Sequence, residues 1–199
     1  MMNKRTIALF DFDGTITRND TFLLFIRHCK GNLRFLGGLI ICAPVLIAWK
    51  CRMLSSDKAK QAVFSHFFRH TPVSLFKRWC DDFSKQIEKD VRPKAVEKIR
   101  EYKAIRIPVI IVSASVENWI LPWAKKNGID QVVATGIETD ENDLLTGRFS
   151  TPNCKGKEKV NRLQVLFPNR QDYCFIAHGD SPGDKELLAF SDESHYRAF

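Results

Sequence analysis

The chain has 199 residues, 44% of them hydrophobic and 27% charged, with a formal net charge of +8 and an isoelectric point near 9.3. That length accommodates one core domain with a modest insertion, and the composition is that of a soluble globular protein rather than a disordered or fibrous one. The positive charge suits anionic partners such as phosphorylated substrates or an acidic lipid surface, whereas no aromatic-rich RNA motif or zinc-finger spacing points to nucleic acid.

The six cysteines, Cys29, Cys42, Cys51, Cys80, Cys154 and Cys174, form no CxxC pair and no disulfide or zinc pattern, which predicts reduced thiols in a cytoplasmic protein. Cys154 has no adjoining base and reads as structural. The first six residues are short, mostly polar and basic, unlike a signal peptide.

In chain order, the apolar run 7–10 predicts a buried parallel strand that ends at Asp11-Phe12-Asp13-Gly14-Thr15. Alternation along a strand lets Asp11 and Asp13 leave its tip on one side, where they repel each other unless a cation is near. Mg²⁺ suits such a pair, since it takes one or two carboxylates and leaves positions for water and phosphate. An EF-hand loop counted from Asp11 needs Gly at its sixth position and Glu at its twelfth; the chain has Ile16 and Phe22, so calcium is a poor fit.

A helix is expected from Thr21, with Asp20 as its N-cap. Residues 35–49 carry no charge and are bordered by Lys30, Arg34, Lys50 and Arg52. The run is shorter than the roughly 20 residues of a spanning helix and is broken by Gly37, Gly38 and Pro44. It reads in two ways: a buried hairpin in a helical cap, which is preferred, or a segment dipping into a membrane interface with its basic flanks on anionic headgroups. Amphipathic helices follow from Ser56, from Thr71-Pro72 as N-cap and first helical residue, and from Arg92-Pro93. Their aromatic stripe, including Phe64, Phe68, Phe76 and Phe83, reads as helix core.

A strand over 105–112 then leads into Ser113-Ala114-Ser115, with Ser115 expected to cap the helix that holds Trp119, Ile120 and Trp123 and stops at Asn127-Gly128. Residues 132–134 predict a strand, and 144–149 a hairpin arm. Lys155, Lys157 and Lys159 precede a helical pattern through Leu163 and Leu166. A last strand, 173–177, runs into Gly179-Asp180-Ser181-Pro182-Gly183-Asp184. His178 adjoins this motif and is assigned no role.

Each of these motifs alone is ordinary turn or cap chemistry. In this order the chain resembles the haloacid dehalogenase superfamily, most closely the branch (subfamily IB) that includes phosphoserine phosphatase and phosphatidylglycerophosphatase-type members, over nearly its whole length. The resemblance implies an α/β fold: a Rossmann-like, doubly wound parallel sheet formed by 1–16 and 91–199, with an all-helical cap inserted at 17–90. It implies Asp11 as nucleophile, Asp13 as general acid/base, and Ser113 and Lys159 as phosphate-binding residues. Lys159 is preferred to Lys155 and Lys157 because it begins the helical spacing to Leu163 and Leu166. Asp11, Asp180 and the backbone carbonyl of Asp13 would hold Mg²⁺, with Asp184 supporting it. Where the phosphoserine phosphatases have a Glu that contacts the substrate amine, this chain has the shorter Asp20, so Asp20 either sets specificity or simply caps its helix.

The expected activity is Mg²⁺-dependent hydrolysis of a phosphomonoester through an aspartyl-phosphate, on a small phosphorylated metabolite or a lipid phosphate, with peripheral contact at the inner face of the membrane in the second case. A non-catalytic module binding anionic membranes would use the charge and the 35–49 run but leave four ordered motifs unexplained. A dehalogenase is a third option, disfavoured because that branch usually lacks the second acid, here Asp13.

Overall fold

The computed structural model describes residues 4–199. Its centre is a five-stranded sheet in the order β3-β2-β1-β6-β7, every neighbouring pair parallel. The strands are β1 (Arg5–Phe10), β2 (Val109–Val116), β3 (Gln131–Thr135), β6 (Tyr173–Gly179) and β7 (Glu193–Tyr196). The three strands that lead into motifs, β2, β1 and β6, are the adjacent middle three, so their carboxyl ends open onto one crevice.

Period-2 alternation divides the core between the two faces of the sheet. Ala8, Phe10, Val109 and Ile111 pack on one side with Trp119, Ile120 and Trp123 of α5 (Glu117–Lys126) and Ile99 and Tyr102 of α4 (Pro93–Ala104). Ile7, Leu9, Ile110, Val112, Phe175 and Ala177 pack on the other with Leu163 of α6 (Lys157–Leu166) and Leu187 of α7 (Lys185–Phe190). Burial on both faces explains why these strands read as continuous apolar runs.

Three helices, α1 (Thr21–Lys50), α2 (Ser56–Phe68) and α3 (Val73–Asp90), leave the sheet after Thr17 and return at Val91, and those two residues form an antiparallel bridge at the root of the excursion. Their shared core is aromatic. Phe25 lies 5.2–5.5 Å, ring centre to ring centre, from Phe68, Phe76 and Phe83, and 4.6 Å from Trp119 of α5. A second anchor is the hairpin of β4 (Ile137–Thr139) and β5 (Leu145–Phe149). Phe149 packs on Phe64, its N–H donates to Gln61 Oε1 at 3.1 Å, and Pro72 bridges to Leu144.

Several boundaries differ from the sequence expectation. The motif strand starts at Val109 rather than 105, and it runs on to Val116, so Ser113 and Ser115 lie on the strand itself. Ser115 therefore does not cap α5: Val116 occupies that position without a side-chain bond. Pro72, not Thr71, is the residue before α3.

The 35–49 run is not a hairpin and is buried along one side only. It is one continuous helical stretch of α1, set off from 21–30 by a break at Gly31, whose φ of 73° and ψ of 168° leave the helical region. Pro44 is accommodated inside it. One face, with Gly38 and Cys42, is buried; the other holds exposed Leu36, Ile40, Ile41 and Ile47.

Candidate active site

Asp11, Asp13, Asp20, Ser113, Lys159, Asp180 and Asp184 all line one cleft of about 730 Å³ between the carboxyl end of the sheet and the helical excursion. Asp11 follows β1 directly, and its N–H donates to the His178 carbonyl of β6 at 2.9 Å, which fixes the strand tip against its neighbour. Lys159 on α6 is 1% exposed, and its Nζ donates to Asp11 Oδ1 at 2.5 Å and to Asp184 Oδ1 at 2.6 Å. Lys155 also lines the cleft, but from an exposed position.

Asp184 is held from its other oxygen. Oδ2 accepts from the N–H groups of Asp180 (3.3 Å) and Ser181 (3.0 Å) and from Ser181 Oγ (2.8 Å), which closes the turn before α7. Asp180 Oδ1 accepts from Thr15 Oγ1 at 3.1 Å. Gly14 sits at φ +85°, and a Cβ there would collide with the Asp180 carboxylate. Only glycine lets the β1 tip turn this close to the acid.

Asp13, one pleat repeat from Asp11, lives in a different environment. Its Oδ1 accepts from Thr21 N–H (2.9 Å) and Thr21 Oγ1 (2.5 Å), and its Oδ2 accepts from Ser115 Oγ (2.5 Å). Trp119 Nε1 donates to Thr21 Oγ1 at 3.2 Å and orients that hydroxyl. Asp13 is thus tied to the first residue of α1 and to β2, while Asp11 is tied to Lys159. Ser113 is 1% exposed, and its Oγ accepts from the Ser115 N–H at 3.0 Å. Asp20 caps α1 by accepting from Phe22 N–H at 2.8 Å while still facing the cleft.

The electrostatics follow from burial. Asp11 is pushed up to about 7, chiefly by desolvation, with Lys159 opposing and Asp184 and Asp13 adding. Asp13 is also raised, by burial first and then by Asp20. Burial acts against charge on Lys159, but Asp11 and Asp184 outweigh it and hold the ammonium above its ordinary value. Asp184, buried too, falls below the usual carboxylate range because Lys159 and Ser181 favour its ionised form.

Asp11, Asp180 and Asp184 bring carboxylate oxygens within 4.8 Å of one another. These three carboxylates face one ammonium in a confined space; burial first, and the neighbouring Asp184 charge second, raise Asp11 and Asp180. A hard divalent cation with oxygen ligands fits this donor set.

Sequence reasoning missed Thr21 and Ser115 as partners of Asp13. Ser115 was accessible in principle, since residues i and i+2 of a strand share a face and Ser113 had been singled out. It also missed Lys60 of α2, whose Nζ lines the cleft, donates to the Ala114 carbonyl at 2.7 Å and to Asn153 Oδ1 at 3.4 Å, and lies 5.2 Å from the Phe22 ring. Nothing in the sequence around Lys60 distinguishes it from a solvated helical lysine.

Comparison with known proteins gives a consistent result. The family model for haloacid dehalogenase-like hydrolases matches residues 8–189. Protein CicA of Caulobacter vibrioides is 31% identical over 201 residues, covering all of this chain and 89% of that protein. Among solved structures, a protein of unknown function from Bordetella pertussis Tohama I superposes with a TM-score of 0.82 at 21% identity, covering 96% of this chain and 89% of its own. A substrate-bound phosphoserine phosphatase complex superposes with a TM-score of 0.69 at 20% identity, covering 98% and 86%. At those identities the structural likeness establishes the fold.

Proposed function

The chain belongs to the haloacid dehalogenase-like hydrolase family and is an enzyme, and on that premise we propose that it is a phosphatase, a Mg²⁺-dependent phosphomonoesterase working through an aspartyl-phosphate. The observation that carries this reading is the division of labour between two acids on one strand tip. Asp11 meets Lys159 on the floor of the cleft, whereas Asp13 is held by Thr21 and Ser115 beside it.

In this reading Asp11 attacks phosphorus in line, forming a P–O bond as the bond to the leaving alcohol breaks. Asp13, raised by burial and therefore a better proton carrier near neutral pH, gives its proton to the departing oxygen. Water then attacks the aspartyl-phosphate, Asp13 takes the water proton, and inorganic phosphate and free Asp11 are regenerated. Lys159 and Ser113 offset the charge on the equatorial oxygens, the main demand of phosphoryl transfer. Asp11, Asp180 and the Asp13 backbone carbonyl would hold Mg²⁺, with Asp184 orienting the site. Bound there, the ion supplies the positive charge that keeps Asp11 ionised beside a phosphate dianion.

The substrate is a small phosphorylated metabolite or a lipid phosphate, and the leaving group is the alcohol freed from its phosphate. The cleft walls favour the lipid: Phe22, Leu23, Leu39, Leu46, Trp49 and Val63 surround the approach to the acids. Asp20, at the rim of this approach, is placed to act on specificity. The test is release of inorganic phosphate from a chromogenic phosphomonoester, from phosphorylated metabolites and from lipid phosphates, each with Mg²⁺ and with chelator. Mg²⁺-dependent release that Asp11→Asn abolishes supports the reading; absence of release from every substrate overturns it.

A further inference from the structure

We infer that the outer face of the second half of α1 is a docking surface for an anionic lipid bilayer, and that docking there sets the mouth of the cleft against the interface. The inference deepens the phosphatase reading by naming the surface from which substrate arrives, and it rests on that reading only for the meaning of the cleft.

Over residues 32–50, Leu33, Leu36, Ile40, Ile41 and Ile47 recur at helical spacing on one side, and Met53, in the turn beyond, is exposed as well. Leu33 is 87% exposed, Ile40 74% and Met53 82%. Single exposed leucines are ordinary, but a stripe of five large apolar side chains on one side of a helix marks an interaction surface. The opposite side of the same helix is engaged: Cys42 is buried and the Phe35 ring stacks 6.4 Å from Phe67 of α2. These contacts hold the helix by one side against α2. Its length from Asn32 to Lys50, about 28 Å at 1.5 Å per residue, lies along the protein surface, as an interfacial helix does.

Charge selects the occupant. No Asp or Glu occurs anywhere in 21–50, and exposed Arg34, Lys50 and Arg52 border the stripe at its two ends. Lys30 is turned inward, with its ammonium 4.7 Å from the Trp79 ring centre. An apolar face with cations at both ends matches a surface that is apolar within and anionic at its boundary. A second copy of the chain fits less well, because an antiparallel pairing of two such faces sets Arg34 of each against Lys50 and Arg52 of the other. The placement is functional as well: Leu39, Leu46 and Trp49 of this same helix line the cleft, so an acyl-bearing phosphate can enter head first with its chain still in the bilayer.

The test is flotation of the full-length protein with vesicles of phosphatidylcholine alone and of phosphatidylcholine with phosphatidylglycerol. Binding is expected on the anionic vesicles and should weaken about 100-fold on Arg34→Gln/Lys50→Gln/Arg52→Gln, at about fivefold for each basic residue near the surface. Ile40→Ser/Ile41→Ser/Ile47→Ser should reduce binding at least about tenfold, with melting temperature and hydrolysis of a soluble chromogenic phosphate unchanged, because all three side chains lie outside the core and the cleft. Absence of binding at low salt, equal binding to both vesicle types, or a parent dimer in solution that the triple serine change dissolves would each overturn the inference. Vesicle binding without phosphatase activity on any substrate would leave the docking surface standing and remove the phosphatase reading.

Discussion

Asp11 and Asp13 have the same side chain and nearly the same position in the chain, yet their hydrogen-bond partners differ, Lys159 for one and Thr21 and Ser115 for the other. Asp11→Asn should abolish turnover without unfolding the protein, checked by phosphate release and circular dichroism, since it removes the proposed nucleophile but keeps the shape. Asp13→Asn should slow turnover about 10²–10⁴-fold, the range for a general acid/base, and most with a poor leaving group. In the proposed mechanism Ser115 acts through Asp13, as a positioning residue. Ser115→Ala deletes one hydrogen bond to a buried carboxylate and should lower kcat by about tenfold or more with KM little changed; a loss in KM alone would assign Ser115 to substrate binding.

His178, behind the site, is the other informative residue. Burial, with His195 and Lys98 adding, pushes it down to about 3, and its Nε2 pairs with the Tyr102 hydroxyl at 3.0 Å. An unfolded imidazole titrates near 6.5, so the unfolded chain gains a proton that the folded chain refuses. The stability from a neutral His178 is therefore complete above about pH 6.5 and lost as pH falls toward 3. Asp11, raised to about 7, runs in the opposite sense over part of that window. The diagnostic is the difference between parent and His178→Gln in thermal midpoint, which should narrow as pH is lowered from 7.5 to 5.

Among the elements, α2 joins the helical excursion to the core. Phe64 is fully buried and its ring lies 5.1–6.2 Å from Phe68, Phe76 and Phe149, so it spans α2, α3 and β5. Phe64→Ala should cost about 3–5 kcal/mol in urea-induced unfolding. Because the same contact seats α2, and with it Lys60 and Val63 in the cleft wall, KM should rise as well. Helix α1 shows how one element serves two surroundings. Its first half packs Phe22, Phe25 and Ile26 inward, and after Gly31 the chain restarts as a helix whose outer side is apolar and uncovered.

At the scale of the whole molecule, the site assembles from distant parts of the chain: Asp11 and Lys159 are 148 residues apart, and Thr15 and Asp180 are 165 apart. Three carboxylates sharing one lysine are a standing repulsion that a cation relieves. Mg²⁺ should therefore stabilise the folded protein, by about 2.7 kcal/mol at a concentration 100 times its Kd, seen as a rise in melting temperature. Asp180→Ala should erase most of that rise while leaving the metal-free protein close to the parent in stability. Overlaying Mg²⁺ titrations for the two would remove Asp180 from the metal site.

The sequence by itself determined the α/β sheet, the order of the motifs and the acids at the strand tips, because both-faced burial writes continuous apolar runs and each run ends in its own polar signature. It also determined that 35–49 is uncharged between basic residues. Sequence spacing favoured Lys159 among three lysines. Only the tertiary structure showed that Lys159 reaches Asp11, that Ser115 holds Asp13 and that Lys60 enters the cleft, since these contacts join residues remote in sequence. It also showed that Thr21, eight residues on, turns back onto Asp13. It likewise decided which side of α1 is covered. Hydropathy measures how apolar a segment is, whereas burial depends on where α2 and α3 fold back, and they cover only one side.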